Sequence, residues 1–496
     1  MNELAESSVA ASTPGRTLFG QPRGLATLFL TEMWERFTYY GIQAILILFM
    51  VAAVSQGGLG LDDKTSGSIF GLFLGSTYLL GLFGGWIADR LLGAQRAVIA
   101  GGILITAGST LLALGHEAIF FLGLLVNAVG VGLLKPNVSA IVASLYPEGG
   151  ARRDAGFSIF YIGINIGSVI GSFFVPLAAA AFGWRTGFAL CALFMVLGVA
   201  QFLWTRHYLG AAGRQPSYER QGSWTPVVIF LAAVAVMVIL ALTRTVRLDA
   251  AALASSASWG YGLLALAYFV YLLFFAGLSR AERRRVLVML ALFIASVTFW
   301  AGYYQQGGSF NLFAERYTNR HIFGWEMPAG VLQAVNPFFV ITLAGAFAAL
   351  WIALGKRGRD PLASAKFGVA LILLGVGFLV MYFAAQHVLA GQLVLPTWLV
   401  LTYFLHTCGE LCLSPVGLSY MSKLAPPRFV GQAMGVWFLS LALGGNLAGQ
   451  LTGQYDASHL ESLPALFLRI FWYGVIAGLV MLLLTPFVKR LMAGVR

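Results

Sequence analysis

Residues 25–53 read LATLFLTEMWERFTYYGIQAILILFMVAA. The stretch is long enough to cross the ~30 Å hydrocarbon core of a bilayer as one helix, yet its middle carries three charges, Glu32, Glu35 and Arg36. An ionisable group at mid-membrane costs about 2.5–3.5 kcal/mol on insertion scales, so such groups face a protein interior or a water-filled path and are paired. Glu32, Glu35, Arg36, Tyr39, Tyr40 and Gln43 follow one another at steps of 3, 1, 3, 1 and 3 residues, which places all six on one helical stripe. A single polar stripe on an otherwise apolar helix lines a cavity inside a bundle. A self-neutralised cluster that merely locks helices together would account for one such position more easily than for six.

The rest of the chain agrees with this first span. Of 496 residues, 59% are apolar and only 10% charged, with a mean hydropathy of +0.82. A soluble globular chain carries about 25% charge, so a water-soluble enzyme is excluded and the exterior must face lipid. Runs long enough to span a membrane fall at 25–53, 67–89, 97–115, 118–145, 155–181, 184–206, 225–243, 258–279, 286–313, 329–354, 366–387, 395–422, 430–453 and 465–488, fourteen in all. Residues 1–20 are polar and have no apolar core, so they predict a short tail rather than a cleavable signal. Cys191, Cys408 and Cys412 all sit inside apolar runs and offer neither a disulfide framework nor a zinc spacing.

The net charge of +12 would suit nucleic acid only if the cations were gathered on one face or in a tail. Instead they are scattered between spans and sort by side. With the N-terminus inside, 22 of the 31 Lys and Arg fall in inner segments and seven in outer ones, Lys64, Arg185, Arg244, Arg247, Arg316, Arg320 and Arg469. Cytoplasmic loops carry such an excess. An even number of spans with both termini cytoplasmic therefore fits every loop. Two cations remain at membrane depth, Arg36 and Lys135.

Lys135 lies in the run 118–145 and is followed by Pro136, whereas the acid Glu410 lies in 395–422, within HTCGELCLSPVGLSY. Away from the first span, a lone buried cation and a lone buried anion are most simply each other's partner. Gly409, Pro415 and Gly417 surround the acid and loosen the helix there. His406 stands one turn before Glu410, where it either tunes the acid's proton affinity or packs as an ordinary buried side chain.

GGWIADRLLGAQR at 84–96 resembles the inner-loop signature of the major facilitator superfamily, and EMWERFTYYG at 32–41 is similar to the ExxERFxYYG signature of its proton-coupled oligopeptide transporters. Further matching segments follow in order: TYLLGLFGGWIAD (77–89), GLLKPN (132–137), FYIGINIG (160–167), FW (299–300), VNPFF (335–339), GELCLSPVGLSY (409–420) and MGVWFL (434–439). The resemblance implies an all-α polytopic membrane protein with the major facilitator fold, two six-helix bundles around a central site. A cytoplasmic tail would occupy 1–24, the N-terminal bundle 25–207, a linker with two extra membrane helices (225–243 and 258–279) 208–280, and the C-terminal bundle 281–496. Fourteen helices match bacterial members of that family.

By the same resemblance, a peptide carboxylate would lie near Arg36, Tyr40 and Lys135, and a peptide amino group near Asn165, Asn336 and Glu410. Tyr39, Tyr78, Trp300 and Trp437, with Ser414, would shape the side-chain pockets. A zwitterion taken out of water needs one cationic and one anionic wall, which agrees with that assignment. Coupling protons would ride on Glu32, Glu35 and Glu410, with Lys135 responding. Many family members carry an Arg and an acidic residue where this chain has Gln43 and Tyr304. Loss of both at once suits an ion pair that closed the outer gate, and a Gln43–Tyr304 hydrogen bond, with a hinge at Pro415, would take its place. The expected function is a monomeric symporter of the bacterial inner membrane that imports di- and tripeptides with protons and needs no cofactor, metal or nucleic acid. A same-fold carrier of nitrate, amino acids or drug-like molecules, and a non-transporting peptide sensor, are the rival readings. An intramembrane enzyme would need a nucleophile–base pair that the spans lack.

Overall fold

The computed structural model describes residues 17–18, 20–115, 117–147, 150–216, 223–243, 249–322, 324–455 and 460–492. Among the described residues the regular structure is helical apart from the strand pairs Thr17–Leu18 with Gln21–Pro22 and His321–Ile322 with Trp325–Glu326, and one bridge between Thr318 and Val394. Its helices are α1 (Arg23–Val51), α2 (Asp63–Ile87), α3 (Ala94–Leu114), α4 (Glu117–Ser144), α5 (Gly150–Phe182), α6 (Trp184–Thr205), α7 (Thr225–Leu242), α8 (Ala250–Val270), α9 (Arg280–Tyr303), α10 (Ser309–Tyr317), α11 (Val335–Lys356), α12 (Ala363–Leu389), α13 (Thr397–Leu424), α14 (Val430–Thr452) and α15 (Ser462–Leu491). A helix lies over each of the fourteen apolar runs. Among the described residues, twelve helical segments are long and apolar enough to cross a membrane. Helix α1 is outside that set because the polar stripe lowers its hydropathy, and α7 enters only as a shorter apolar stretch, Thr225–Val236. Of the sorted cations, Arg16, Arg220, Arg244, Arg247 and Arg496, together with most of the expected tail, lie outside the described residues.

Two of the departures from the expected run boundaries have clear local reasons. The run 286–313 is not one helix: α9 stops at Tyr303, a 3-10 turn occupies Tyr304–Gln306, and α10 resumes at Ser309. Gly307 and Gly308 permit the break, since a Cβ on Gly307 would meet Phe70 Cζ at 2.7 Å and Gln43 Nε2 at 2.9 Å. Helix α8 begins well before 258, at the Asp249 cap, whose carboxylate accepts from the Ala251 and Ala252 amides at 2.8 and 3.1 Å. It ends in a π-turn over Tyr271–Phe275.

The end of the molecule where α1 begins is called here the terminal face, and the end that carries the α1–α2 connection the distal face. Helix α1 packs on α5 and α6, α3 on α4 and α6, α12 on α13 and α15, and α14 on α9. Contacts between the group α1–α6 and the group α9–α15 fall chiefly where α2 packs on α14 and α5 on α11. At the distal end the α2–α14 seam is built from glycine: a Cβ on Gly449 would stand 2.3 Å from the Gly67 carbonyl oxygen and 2.4 Å from Gly71 Cα. Backbones this close give dense van der Waals contact, which drives helix association in lipid. Around that seam, Asn311 donates to the Ala44 carbonyl at 2.9 Å, and Arg316 grips Asp63 with two bonds of 2.7 and 2.8 Å. The distal ends are thus closed on one another.

Candidate substrate and proton site

The α1 stripe is buried as its spacing requires. Glu32, Glu35 and Arg36 are all but inaccessible. Arg36 Nη2 donates to Glu35 Oε1 at 2.6 Å, Arg36 Nε donates to Glu35 Oε2, and the same Nε stands 3.3 Å from Glu32 Oε1. The guanidinium also lies 4.9 Å from the Tyr39 ring centre and 6.0 Å from that of Tyr40. One cation therefore serves two carboxylates, and Glu35 takes the bidentate share. Glu32 Oε2 has no hydrogen-bond partner among the described residues. A buried carboxylate oxygen without a donor has lost the hydrogen bonds it makes in water.

Lys135, on α4, is half-buried. Its Nζ sits 4.7 Å above the Tyr78 ring and forms no ion pair within 4.0 Å among the described residues. It lies within electrostatic reach of Glu32. Glu410, on α13, makes different contacts: its Oε2 accepts from the Tyr303 hydroxyl at 2.8 Å and from Asn336 Nδ2 at 3.4 Å. The expected Lys135–Glu410 pair is therefore not formed in this conformation. Each charge is held by uncharged neighbours on its own side, the ammonium by a π-face and the acid by a hydroxyl and an amide.

Asn336 is the hub of the acidic side. Its Oδ1 accepts from Tyr303 at 2.9 Å and its Nδ2 donates to Thr407 Oγ1 at 2.8 Å, while Thr407 donates to the Tyr403 carbonyl at 2.7 Å. One tyrosine proton cannot fully serve both Asn336 and Glu410. A proton on Glu410 would resolve the conflict, because the acid could then donate to Tyr303 while Tyr303 donates to Asn336. From the other side, Tyr40 and Tyr161 lie close enough to Glu410 to feel its charge. The Asn165 amide donates to the Tyr161 carbonyl of its own helix at 2.9 Å, and its side chain also meets that of Tyr161, so Asn165 approaches the acidic side through Tyr161.

The expected Gln43–Tyr304 hydrogen bond is absent. Tyr304 donates instead to the Tyr78 hydroxyl at 2.7 Å and stacks on Trp300 at 5.3 Å. Gln43 turns toward the α9–α10 break beside Gly307, its carbonyl accepts a long bond from Gln333 at 3.5 Å, and its Oε1 has no partner among the described residues. Spacing on one helix cannot say which neighbour a side chain reaches. His406 does not face Glu410: its Nε2 meets the Leu374 carbonyl at 3.1 Å and its ring packs among Phe310 and Phe378, so the packing alternative holds. Trp437 is buried against Gly417 and Phe367. Tyr39 stacks on Phe73. Ser414 is half-buried and Pro415 exposed.

Tyr303, Thr407 and Tyr161 were not singled out by the sequence. For Tyr303 a signal existed, because Trp300, Tyr303 and Tyr304 repeat the 3-then-1 step of the α1 stripe. Thr407 and Tyr161 have no comparable signature.

Comparison with known proteins follows the same lines. A model of the POT family matches residues 95–467. Peptide transporter YePEPT of Yersinia enterocolitica subsp. palearctica is 42% identical over 500 residues, covering 97% of this chain and 98% of its own. A di-/tripeptide transporter of Lactococcus lactis subsp. lactis is 34% identical with the same coverage. The crystal structure of a mutant peptide transporter POT in complex with alafosfalin superposes with a TM-score of 0.90 at 40% identity, over 98% of this chain and 99% of that one. The chain is a multi-pass membrane protein and belongs to the POT family.

Proposed function

We propose that this protein is a proton-coupled symporter that imports di- and tripeptides by alternating access. The observation that carries the reading is the separation of unlike charges onto facing helices: Arg36 and Lys135 on α1 and α4, Glu410 with Asn336 on α13 and α11. The peptide carboxylate would meet Lys135 first, since Lys135 has no carboxylate partner among the described residues, and would compete with Glu32 for Arg36. The amino group would meet Glu410. Asn165, Tyr40, Tyr39, Tyr78, Trp300, Trp437 and Ser414 complete the proposed contacts, with Trp437 and Asn165 reached after local rearrangement. The relatives' names as peptide and di-/tripeptide transporters support this substrate class.

The mechanism follows from the sharing of one guanidinium. When a substrate carboxylate takes the Arg36 bond now made by Glu32, the displaced acid is stabilised by a proton, so substrate and proton binding favour each other. On the acidic side an ammonium arriving at Glu410 drives the opposite change and releases a proton through Tyr303. We place fourteen spans in two six-helix bundles, 25–207 and 281–496, joined by 208–280 with its two extra helices, and both termini in the cytoplasm of a bacterial cell, on the positive-inside argument. The terminal face is then cytoplasmic and the conformer is closed to the outside. Protons supply the energy, no cofactor is needed, and a monomer suffices.

The test is uptake of dialanine into proteoliposomes with an imposed pH gradient. Accumulation that collapses when the gradient is dissipated supports the proposal. Nitrate or a single amino acid outcompeting dialanine would transfer the assignment to another substrate, and binding without uptake would make the protein a sensor.

A further inference from the structure

The α8–α9 junction collects more cationic charge than a short connection needs. Arg280, Arg283, Arg284 and Arg285 occupy the first turns of α9, and Arg428, on the 3-10 turn Pro427–Phe429 before α14, donates to the Ala276 carbonyl and brings a fifth guanidinium to the same place. Glu282 is the one acid in this segment. It is spent on a capping box, accepting from the Ser279 amide at 2.8 Å while Ser279 Oγ accepts from the Glu282 amide at 3.3 Å. Arg280, Arg283 and Arg284 are exposed. Arg285 is only half-buried, yet its Nε is buried with no acceptor among the described residues. Buried donors in native structures normally have a partner.

An apolar shelf adjoins the cations. Phe274 and Phe275 are 70% and 75% exposed, Tyr271 is 47% exposed, and Tyr271 meets Phe429 edge-on at 6.3 Å while the Arg428 guanidinium lies 5.1 Å from the Phe429 ring centre. Aromatic side chains of this kind sit at the boundary between hydrocarbon and headgroups. Guanidinium groups just beyond that boundary are at phosphate depth and match phosphate oxygens in pairs. Dispersed loop cations that only set topology require neither the shelf nor a buried donor.

We propose that this junction is a binding site for the phosphate of an anionic lipid headgroup, with the lipid's acyl chains lying against Tyr271, Phe274 and Phe275. The proposal rests on the membrane-spanning reading and is independent of what is transported. A lipid held here would touch α8, α9 and the turn before α14 together, and so tie one of the extra helices to the helices that carry Tyr303 and Trp437.

The experiment is native mass spectrometry of the purified full-length protein, titrated with phosphatidylglycerol against phosphatidylcholine. The wild type should retain phosphatidylglycerol preferentially. Arg280→Gln with Arg283→Gln and Arg284→Gln, all at exposed positions, should lower that preference about tenfold or more, and the Arg283→Gln/Arg284→Gln pair should lie between. Lys489→Gln with Arg490→Gln, which removes basic charge from the end of α15, should leave it unchanged. Equal retention of the two lipids by the wild type, an unaltered preference in the triple variant, or an equal loss in the α15 control would each overturn the site. Millimolar inorganic phosphate that fully displaces the lipid would make it a site for free anions and overturn the lipid assignment. Dialanine uptake in the same variants is scored separately, so failure of the peptide reading and failure of the lipid site are distinguishable.

Discussion

Arg36 holds two acids with one guanidinium, and the unequal division between them sets the first expectation. Glu35 takes two bonds and Glu32 a single longer contact, so Glu32 is the acid most easily displaced by a substrate carboxylate. Replacing Glu32 and Glu35 together by Gln should abolish uphill accumulation while leaving counterflow exchange of peptide. Preserved pH-driven accumulation in that variant would remove both residues from proton coupling. A second expectation concerns Tyr303, whose hydroxyl joins Asn336 and Glu410. Tyr303→Phe keeps the ring packing and deletes one hydrogen bond to an ionisable group, worth about 1.5–3 kcal/mol. Apparent affinity for dialanine should fall by about tenfold or more, and the pH profile of uptake should move with it. An unchanged pH profile would reduce Tyr303 to packing. The α1 stripe was legible in sequence because both the helical period and the cost of buried charge are local rules. The partner of each stripe residue was not, since that depends on how neighbouring helices are rotated. Gln43 and Tyr304 illustrate the gap: both occupy the core as expected, and neither finds the other.

Among the helices, the distal closure depends on α2. Its N-terminal Asp63 is locked by Arg316 of α10, and its next turns press glycine on glycine against α14. Arg316 also stands 5.5 Å from the Tyr455 ring. The pair is partly buried and bidentate, so it should exceed the 0–1 kcal/mol typical of exposed pairs. Asp63→Asn and Arg316→Gln should each increase labelling of a cysteine placed at the distal end of α2 by a few-fold, and the double variant should add little to either single one. Additive effects would mean that the two charges do not act as a pair. Gly449→Val should do more than open the seam transiently. A branched side chain cannot fit where backbone atoms stand under 2.5 Å from its Cβ, so the distal ends should remain apart and uptake should be lost. The helices themselves were readable from hydropathy, and the misplaced boundaries have plain causes. The α9–α10 break falls inside an apolar run at two glycines, where composition gives no warning, and α8 starts early because an Asp cap precedes an Ala/Ser-rich segment.

At the scale of the whole molecule, unlike charges on facing helix groups should read both ends of a short peptide. Capping either terminus removes a charge-assisted contact worth about 1.5–3 kcal/mol. N-acetyl and C-amide dipeptides should therefore compete for uptake roughly tenfold or more weakly than free dialanine. Equal competition by capped and free peptides would sink the two-wall arrangement. The order of the family motifs along the chain was visible in sequence, whereas the separation of Lys135 from Glu410 was not. Two lone charges in a sequence suggest a pair, but the structure holds a ring against one and a hydroxyl against the other. Finally, the Tyr78–Tyr304 contact joins the two helix groups without any formal charge. A unit charge carried through 100 mV of membrane potential is worth about 2.3 kcal/mol, and a hydroxyl pair carries none. Parting these two tyrosines contributes no gating charge, so the voltage dependence of turnover should arise from the protons and the substrate and not from this contact.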